Sequence, residues 1–128
     1  MALTPTQIGY LRLAPSSHDD PQPRSGSTKK ALNKLSNKKL VSYIDGKYRR
    51  TSIGDQEVIN FDSKIESEII NAFKSILNGN FAINEEHAEY LIQSNLIYKG
   101  LDFKLRPTEF AGNLIIRILR EKHKSQQQ

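Results

Sequence analysis

Apolar residues recur at helical spacing in five stretches of the chain, and between them lie two short runs of strand-like residues around Gly turns. Leu3 to Ala14 reads as a short helix, with Thr4 as N-cap, Pro5 at the first helical position and Ile8, Tyr10 and Leu11 on one side. Pro15 ends it. Residues 15–27, PSSHDDPQPRSGS, have loop composition. A second helix is predicted from about Ser27 to Lys39, capped by Ser25 or Ser27, with Thr28, Ala31, Leu32 and Leu35 as its apolar stripe. Lys30, Asn33, Lys34 and Asn37 then share the opposite face.

Leu40 to Ile44 and Lys47 to Arg50 flank Asp45-Gly46, a strong signal for a two-residue hairpin because both turn positions need positive φ. This register makes Tyr43 and Tyr48 cross-strand neighbours. Thr51 to Gly54 closes the hairpin. Phe61, Ile65, Ile69, Phe73 and Ile76 recur every three to four residues from an Asp62 or Ser63 cap, which predicts one amphipathic helix over Phe61–Leu77. A further helix spans about Asn84 to Ser94. It leads to Leu96–Lys99, a Gly100-Leu101 turn and Asp102–Leu105, and a last helix runs from Thr108 to about Lys122.

A shift of 56 residues places Leu35, Leu40 and Val41 on Leu91, Leu96 and Ile97, and Tyr98 and Phe103 repeat the five-residue spacing of Tyr43 and Tyr48. Either a degenerate second helix–hairpin unit or coincidence accounts for so short a match. The expected fold class is α+β and mainly helical. Its expected organisation is a basic N-terminal domain over 1–60, a helical half with a second hairpin over 61–124 and a disordered tail over 125–128. The helices Phe61–Leu77 and Thr108–Lys122 are the expected homodimer surface.

Composition narrows the function classes. The 128 residues are 37% hydrophobic and contain no Cys and no Trp, which removes disulfides, thiolate zinc sites and cysteine nucleophiles and fits a reducing, cytoplasmic setting. The start, Met1-Ala2-Leu3-Thr4-Pro5, lacks a signal-peptide pattern, and no stretch approaches the roughly 20 apolar residues that span a bilayer. His18, His87 and His123 have neither Cys partners nor the i, i+4 spacing of a helical zinc pair. His18-Asp19-Asp20 fits a polar loop bounded by prolines. No phosphate-cradling glycine loop is present. No catalytic residue, metal or cofactor is expected, and the chain reads as a non-enzyme.

Charge is the more informative property. The net charge of +5 lies wholly in residues 1–60, where ten Lys and Arg face five acids, whereas residues 61–128 carry nine of each sign. Within 24–50, nine bases face only Asp45. Such a local excess is an electrostatic footprint for a polyanion, or a solvated lysine-rich helix. The helix starting Asn84-Glu85-Glu86-His87-Ala88-Glu89 has the opposite sign, which suits a helix N-terminus and would repel phosphates.

LTPTQIGYLRLA as an opening helix, STKKALNKLSNKKLV as a helix running into a strand, and YIDGKYRRTSIGD as a hairpin and its exit together make residues 3–54 resemble a winged-helix DNA-binding domain, in particular that of multiple-antibiotic-resistance-type regulators. The resemblance covers about 40% of the chain. Between Ala14 and Ser27 only twelve residues, three of them Pro, stand where the family has a second helix, so the helix-turn-helix is truncated. The family's glycine after the recognition helix is Lys39 here, which moves the left-handed cap to Asn37, Lys38 or Lys39.

The resemblance implies that Ser27, Thr28, Lys30, Asn33 and Lys34 face base edges or adjacent phosphates, and that Lys47, Arg49 and Arg50 lie on the wing. Tyr48 either touches sugar-phosphate or packs on Tyr43. Lys29 and Lys38 complete the expected nucleic-acid-binding set. The implied function is double-stranded DNA binding by a small transcriptional regulator or accessory factor in DNA transactions. Two alternatives use the same charges, a protein-interaction module docking an acidic protein and an RNA-binding protein.

Overall fold

The computed structural model describes residues 3–17 and 20–126, with side chains as far as Lys122. His18, Asp19, the His123 side chain and Gln127–Gln128 therefore lie outside the described residues. The chain is α+β and mainly helical. Its order is α1 (Pro5–Leu13), α2 (Gly26–Ser36), β1 (Val41–Ile44), β2 (Lys47–Arg50), α3 (Ser52–Ser63), α4 (Ser67–Leu77), α5 (Glu85–Gln93), β3 (Ile97–Lys99), β4 (Leu105–Pro107), a one-turn 3-10 helix (Glu109–Ala111) and α6 (Gly112–Gln126). No described helix is long and apolar enough to cross a membrane.

The opening helix forms as its sequence requires. The Thr4 hydroxyl accepts from the Gln7 amide and the Gln7 side chain accepts from the Thr4 amide, a reciprocal cap that satisfies two otherwise orphaned donors. Helix α2 ends at Ser36, three residues before the expected Lys39. Lys39 itself adopts the left-handed conformation (φ 65°), and the chain reverses so that the Leu40 amide donates to the Leu35 carbonyl at 3.2 Å. A side chain there carries a steric cost that glycine would avoid. The first hairpin has the expected register, Tyr43 opposite Tyr48, with Asp45 and Gly46 both at positive φ.

Thr51 to Gly54 does more than close the hairpin. The Thr51 hydroxyl accepts from the Gly54 amide and donates to the Lys39 carbonyl, so it caps the unforeseen helix α3 and ties it to the end of α2. The single helix expected over Phe61–Leu77 is in fact two. Phe61 and Asp62 lie in the last turn of α3, which ends at Ser63, a turn follows, and Ser67 begins α4. The Arg117 guanidinium donates to the Asp62 carbonyl at 2.9 Å and meets that of Ile65 at 3.5 Å, which satisfies carbonyls that a continuous helix would have paired itself. The apolar period continues unbroken across this turn because both helices line the same interior.

The second unit repeats the first in its hydrogen bonds. Leu96 donates to the Leu91 carbonyl as Leu40 does to Leu35, and Thr108 donates to the Leu96 carbonyl as Thr51 does to Leu40. The Thr108 hydroxyl bonds to the Asn95 carbonyl as that of Thr51 does to Lys39, and Asn95 shares the left-handed conformation (φ 60°). The hairpins diverge beyond this frame. Ile97, Tyr98 and Lys99 pair with Pro107, Arg106 and Leu105, so the turn spans Gly100–Lys104. Tyr98 thus lies opposite Arg106, and Phe103 sits in a turn longer than the expected Gly100-Leu101 one.

Two buried clusters form the interior. Ile8, Leu11, Leu32, Leu35, Leu40, Val41, Tyr48 and Val58 fill the N-terminal one, and Ile65 with Ile69, Ile70, Ala72, Phe73 and Ile76 of α4 pack with Leu91, Leu96, Ile97, Ala111 and Leu114 in the other. The α4 side chains expected at a dimer surface are therefore inside this chain's own core. Of the last helix, Ile116 and Leu119 stay exposed. Helix α6 also continues to Gln126, through the start of the expected tail.

The clusters meet at α1. Arg12 is 3% exposed and grips Asp62, 5% exposed, with two hydrogen bonds of 2.6 and 3.1 Å, while its Nε donates to the Ser94 carbonyl at 2.7 Å. Phe61 packs against both clusters and stacks on Tyr90, 5.7 Å between ring centroids. The Asn95 side chain donates to the Gly9 carbonyl, and a Cβ on Gly9 would overlap the Gln93 carbonyl oxygen. Glycine at position 9 lets α1 approach the end of α5 this closely.

Candidate nucleic-acid interface

Helix α2 turns Leu32 and Leu35 inward, and the 3.6-residue period then places Lys30, Asn33, Lys34 and Asn37 on the outside, all exposed. Ser27 and Lys29 are exposed beside them, and Lys38 projects from the turn after the helix. Thr28 departs from the expected set. It is half-buried on the inward stripe, where it has little access to a base edge. Between α1 and α2 runs a groove of about 400 Å³, with Tyr10, Ala31 and Leu35 in its wall and Lys30, Lys34 and Lys38 along it.

The hairpin divides its basic residues by strand alternation. Lys47 and Arg49 are exposed, whereas Tyr48 is 5% exposed and Arg50 is half-buried. Tyr48 packs on Tyr43 with ring centroids 4.6 Å apart, and its hydroxyl donates to the Asn33 side-chain oxygen at 2.7 Å. It therefore locks the hairpin to α2 and has no face left for a sugar-phosphate contact. Asn33 is exposed but gives one acceptor to that lock. Arg50 donates through Nε to Asp55 at 2.5 Å and meets the Leu11 carbonyl at 3.4 Å, which commits it to holding α3 and α1 together. Tyr48, Arg50 and Thr28 thus separate from the residues that point outward.

The proline-rich loop has a structural role that composition concealed. Arg50 donates its amide to the Pro15 carbonyl at 2.8 Å, and the Gln22 side chain accepts from the Tyr48 amide and donates to its carbonyl, at 2.7 and 3.1 Å. The loop covers the edge of β2 that would otherwise expose unpaired backbone groups. A glutamine placed to mimic a strand leaves no periodic signal, so nothing in the sequence pattern marks it.

Among the described residues, Arg24, Lys29, Lys30, Lys34, Lys38, Lys39, Lys47 and Arg49 have no carboxylate within ion-pair distance, and Arg50 alone of the nine bases is paired. The mutual repulsion of these cations is relieved by solvent or by an anionic partner. No protein-family model, curated protein or solved structure matches the chain. Its own residues carry the reading.

The equivalent face of the second unit has the opposite sign. Asn84 caps α5 by accepting from the amides of Glu86 and His87, and Glu85, Glu86 and Glu89 are exposed along the helix. His87 lies 3.8 Å from Glu68. Among the described residues no three His, Asp or Glu side chains converge as metal ligands would.

Proposed function

We propose that the protein binds double-stranded DNA through the outer face of α2 and the outer face of β2, without catalysis, as a small cytoplasmic regulator or accessory factor in DNA transactions. The observation that carries this reading is a set of exposed, unpaired cations, Lys29, Lys30 and Lys34 on α2, Lys38 in the turn after it, and Lys47 and Arg49 on the hairpin that Tyr48 and Asn33 lock to α2. An α-helix of this diameter fits the B-DNA major groove, and Lys and Arg displace condensed counterions from phosphates. Ser27, Asn33 and Asn37 supply neutral hydrogen-bonding groups beside them. The resemblance of residues 3–54 to a winged-helix domain supports the same docking, with the loop over residues 14–25 in place of the family's second helix. A two-fold pair of copies would present two such faces to one duplex, and Ile59, Ile116 and Leu119 are among the exposed apolar side chains that could join them.

Anisotropy titration of duplex DNA, RNA hairpins and a polyglutamate control at two salt concentrations tests this reading. Lys30→Ala with Lys34→Ala, and Lys47→Ala with Arg49→Ala, are each expected to weaken duplex binding and to lower the salt slope by roughly one unit per lost phosphate contact. Arg50→Ala is expected to reduce stability with little further change in slope. Unchanged affinity in both double variants sinks the proposal. Preferential binding of RNA or of polyglutamate would transfer the face to one of those partners.

A further inference from the structure

The turn of the second hairpin presents two large apolar side chains that the DNA-facing set does not include. Leu101 is 104% exposed and Phe103 is 77% exposed, the most solvent-facing large hydrophobic residues among those described. Isolated exposed leucines are ordinary. This turn is unusual because the backbone holds Phe103 in the left-handed region, φ 63°, where a phenylalanine is strained. Strain of this kind persists only where neighbouring contacts impose it.

Those contacts are present. Phe103 donates its amide to the Gly100 carbonyl, and Gly100 donates to the Lys104 carbonyl, both at 2.9 Å. The Asp102 carboxylate turns back onto the Arg106 guanidinium with bonds of 2.7 and 2.9 Å, and also accepts from the Lys104 amide. The brace crosses Gly100 so closely that a Cβ there would overlap Arg106. The tip is thus a fixed shape carrying an aromatic ring and an aliphatic group.

Its surroundings are cationic. The Lys99 ammonium lies 5.6 Å from the centre of the Phe103 ring, and neither Lys99 nor Lys104 has a carboxylate partner among the described residues. Asp102 is neutralised by Arg106. An apolar wedge between cations matches the way proteins unstack a base step, the side chain entering the stack while ammonium groups hold the flanking phosphates. A bilayer fits less well, because Leu101 and Phe103 could enter only with the Asp102–Arg106 ion pair carried in beside them.

We infer that the hairpin tip Leu101–Phe103 is a second nucleic-acid contact, a wedge that enters a flexible base step of duplex DNA with Lys99 and Lys104 on the adjacent phosphates. This rests on the duplex-binding reading above, and it gives the C-terminal half a part in binding that its acidic helix cannot supply. Pyrimidine–purine steps, which unstack most readily, are the expected targets.

The test uses the full chain and duplexes carrying 2-aminopurine beside TA, CA or GC steps, with anisotropy and emission read on the same samples. The expected result is a several-fold rise in emission at TA or CA steps. Leu101→Ser with Phe103→Ser should abolish the rise and weaken binding about tenfold. Lys30→Ala with Lys34→Ala should weaken binding but keep the rise at saturation. Duplex binding with unchanged emission, or an undiminished rise in the tip variant, overturns the wedge and leaves the α2 interface standing. Absence of any duplex binding overturns both. A tip variant that binds duplex normally but no longer sediments with phosphatidylglycerol vesicles also overturns the wedge and assigns the tip to a membrane surface.

Discussion

The two helix–hairpin units are built on one frame and show solvent opposite faces. In each, a buried leucine ends the helix interior, a left-handed residue reverses the chain, and a threonine bonds back across the hairpin to cap the next helical turn. The first then displays Lys29, Lys30 and Lys34, the second Glu85, Glu86 and Glu89. The first hairpin is closed by the polar pair Asp45-Gly46, the second by a five-residue turn bearing Leu101 and Phe103. Buried leucines and bonded backbone groups specify the frame, while exposed helix positions tolerate either charge at little cost in folding. Frame and surface charge therefore vary independently.

The joint between the units offers the severest test of this shared frame. Arg12→Ala leaves Asp62 charged and buried, and the expected loss is about 3–5 kcal/mol of stability, read from urea denaturation followed by tyrosine fluorescence and by circular dichroism. A loss below about 1 kcal/mol would mean that the units hold together without the pair. Exchanging the surface charges is the next largest test. Lys30→Glu with Lys34→Glu should weaken duplex binding by roughly 100-fold at low salt, and Glu86→Lys with Glu89→Lys should strengthen it by roughly tenfold. Equal and opposite effects would make the units electrostatically interchangeable, whereas no gain from the second pair would show that α5 stands away from the duplex.

The left-handed residues distinguish the units by about 1.5–2 kcal/mol. Lys39→Gly is expected to stabilise by about 0.5–1 kcal/mol, since glycine takes this conformation without strain. Asn95→Gly at the equivalent position loses the bond to the Gly9 carbonyl and should destabilise by about 1 kcal/mol. Thermal melts of both variants decide whether the signs differ.

The smallest effect is a pH dependence confined to the second tip. Hydrogen bonding from Arg106, and then from the Lys104 amide, pushes the Asp102 carboxyl down to about 2 from 3.8. A carboxyl lowered on folding contributes stability above its unfolded value, and this is lost as pH falls through about 2. Carbon-detected NMR titration should therefore find the Asp102 signal nearly constant from neutral pH down to about 4, with its midpoint near 2. A midpoint at 3.8 would show that the brace does not form in solution.

Much of the frame was legible along the chain. Thr4 with Pro5, Asp45-Gly46 between alternating residues, and Asn84 before Glu85 each specify their element through bonds within a few residues. The division at Lys64 was not legible, because Phe61 through Ile76 keep a helical period across a turn made possible by Arg117, more than fifty residues away. The candidate interface was half legible. Periodicity placed Lys30, Asn33 and Lys34 outward, and strand alternation separates Lys47 and Arg49 from Tyr48 and Arg50. The destination of those inward residues depended on Asn33 and Asp55 arriving beside them.

Capping, turn chemistry and charge are local properties, so the order of residues was enough to set where most helices begin, which hairpin is tight, and that positive charge concentrates over residues 24–50. Which of those charges are free was decided only in the folded chain. There Arg12 became a buried joint, Arg50 a brace, and Leu101 and Phe103 an exposed tip. Each outcome is set by partners distant in sequence or by backbone geometry that only tertiary packing imposes.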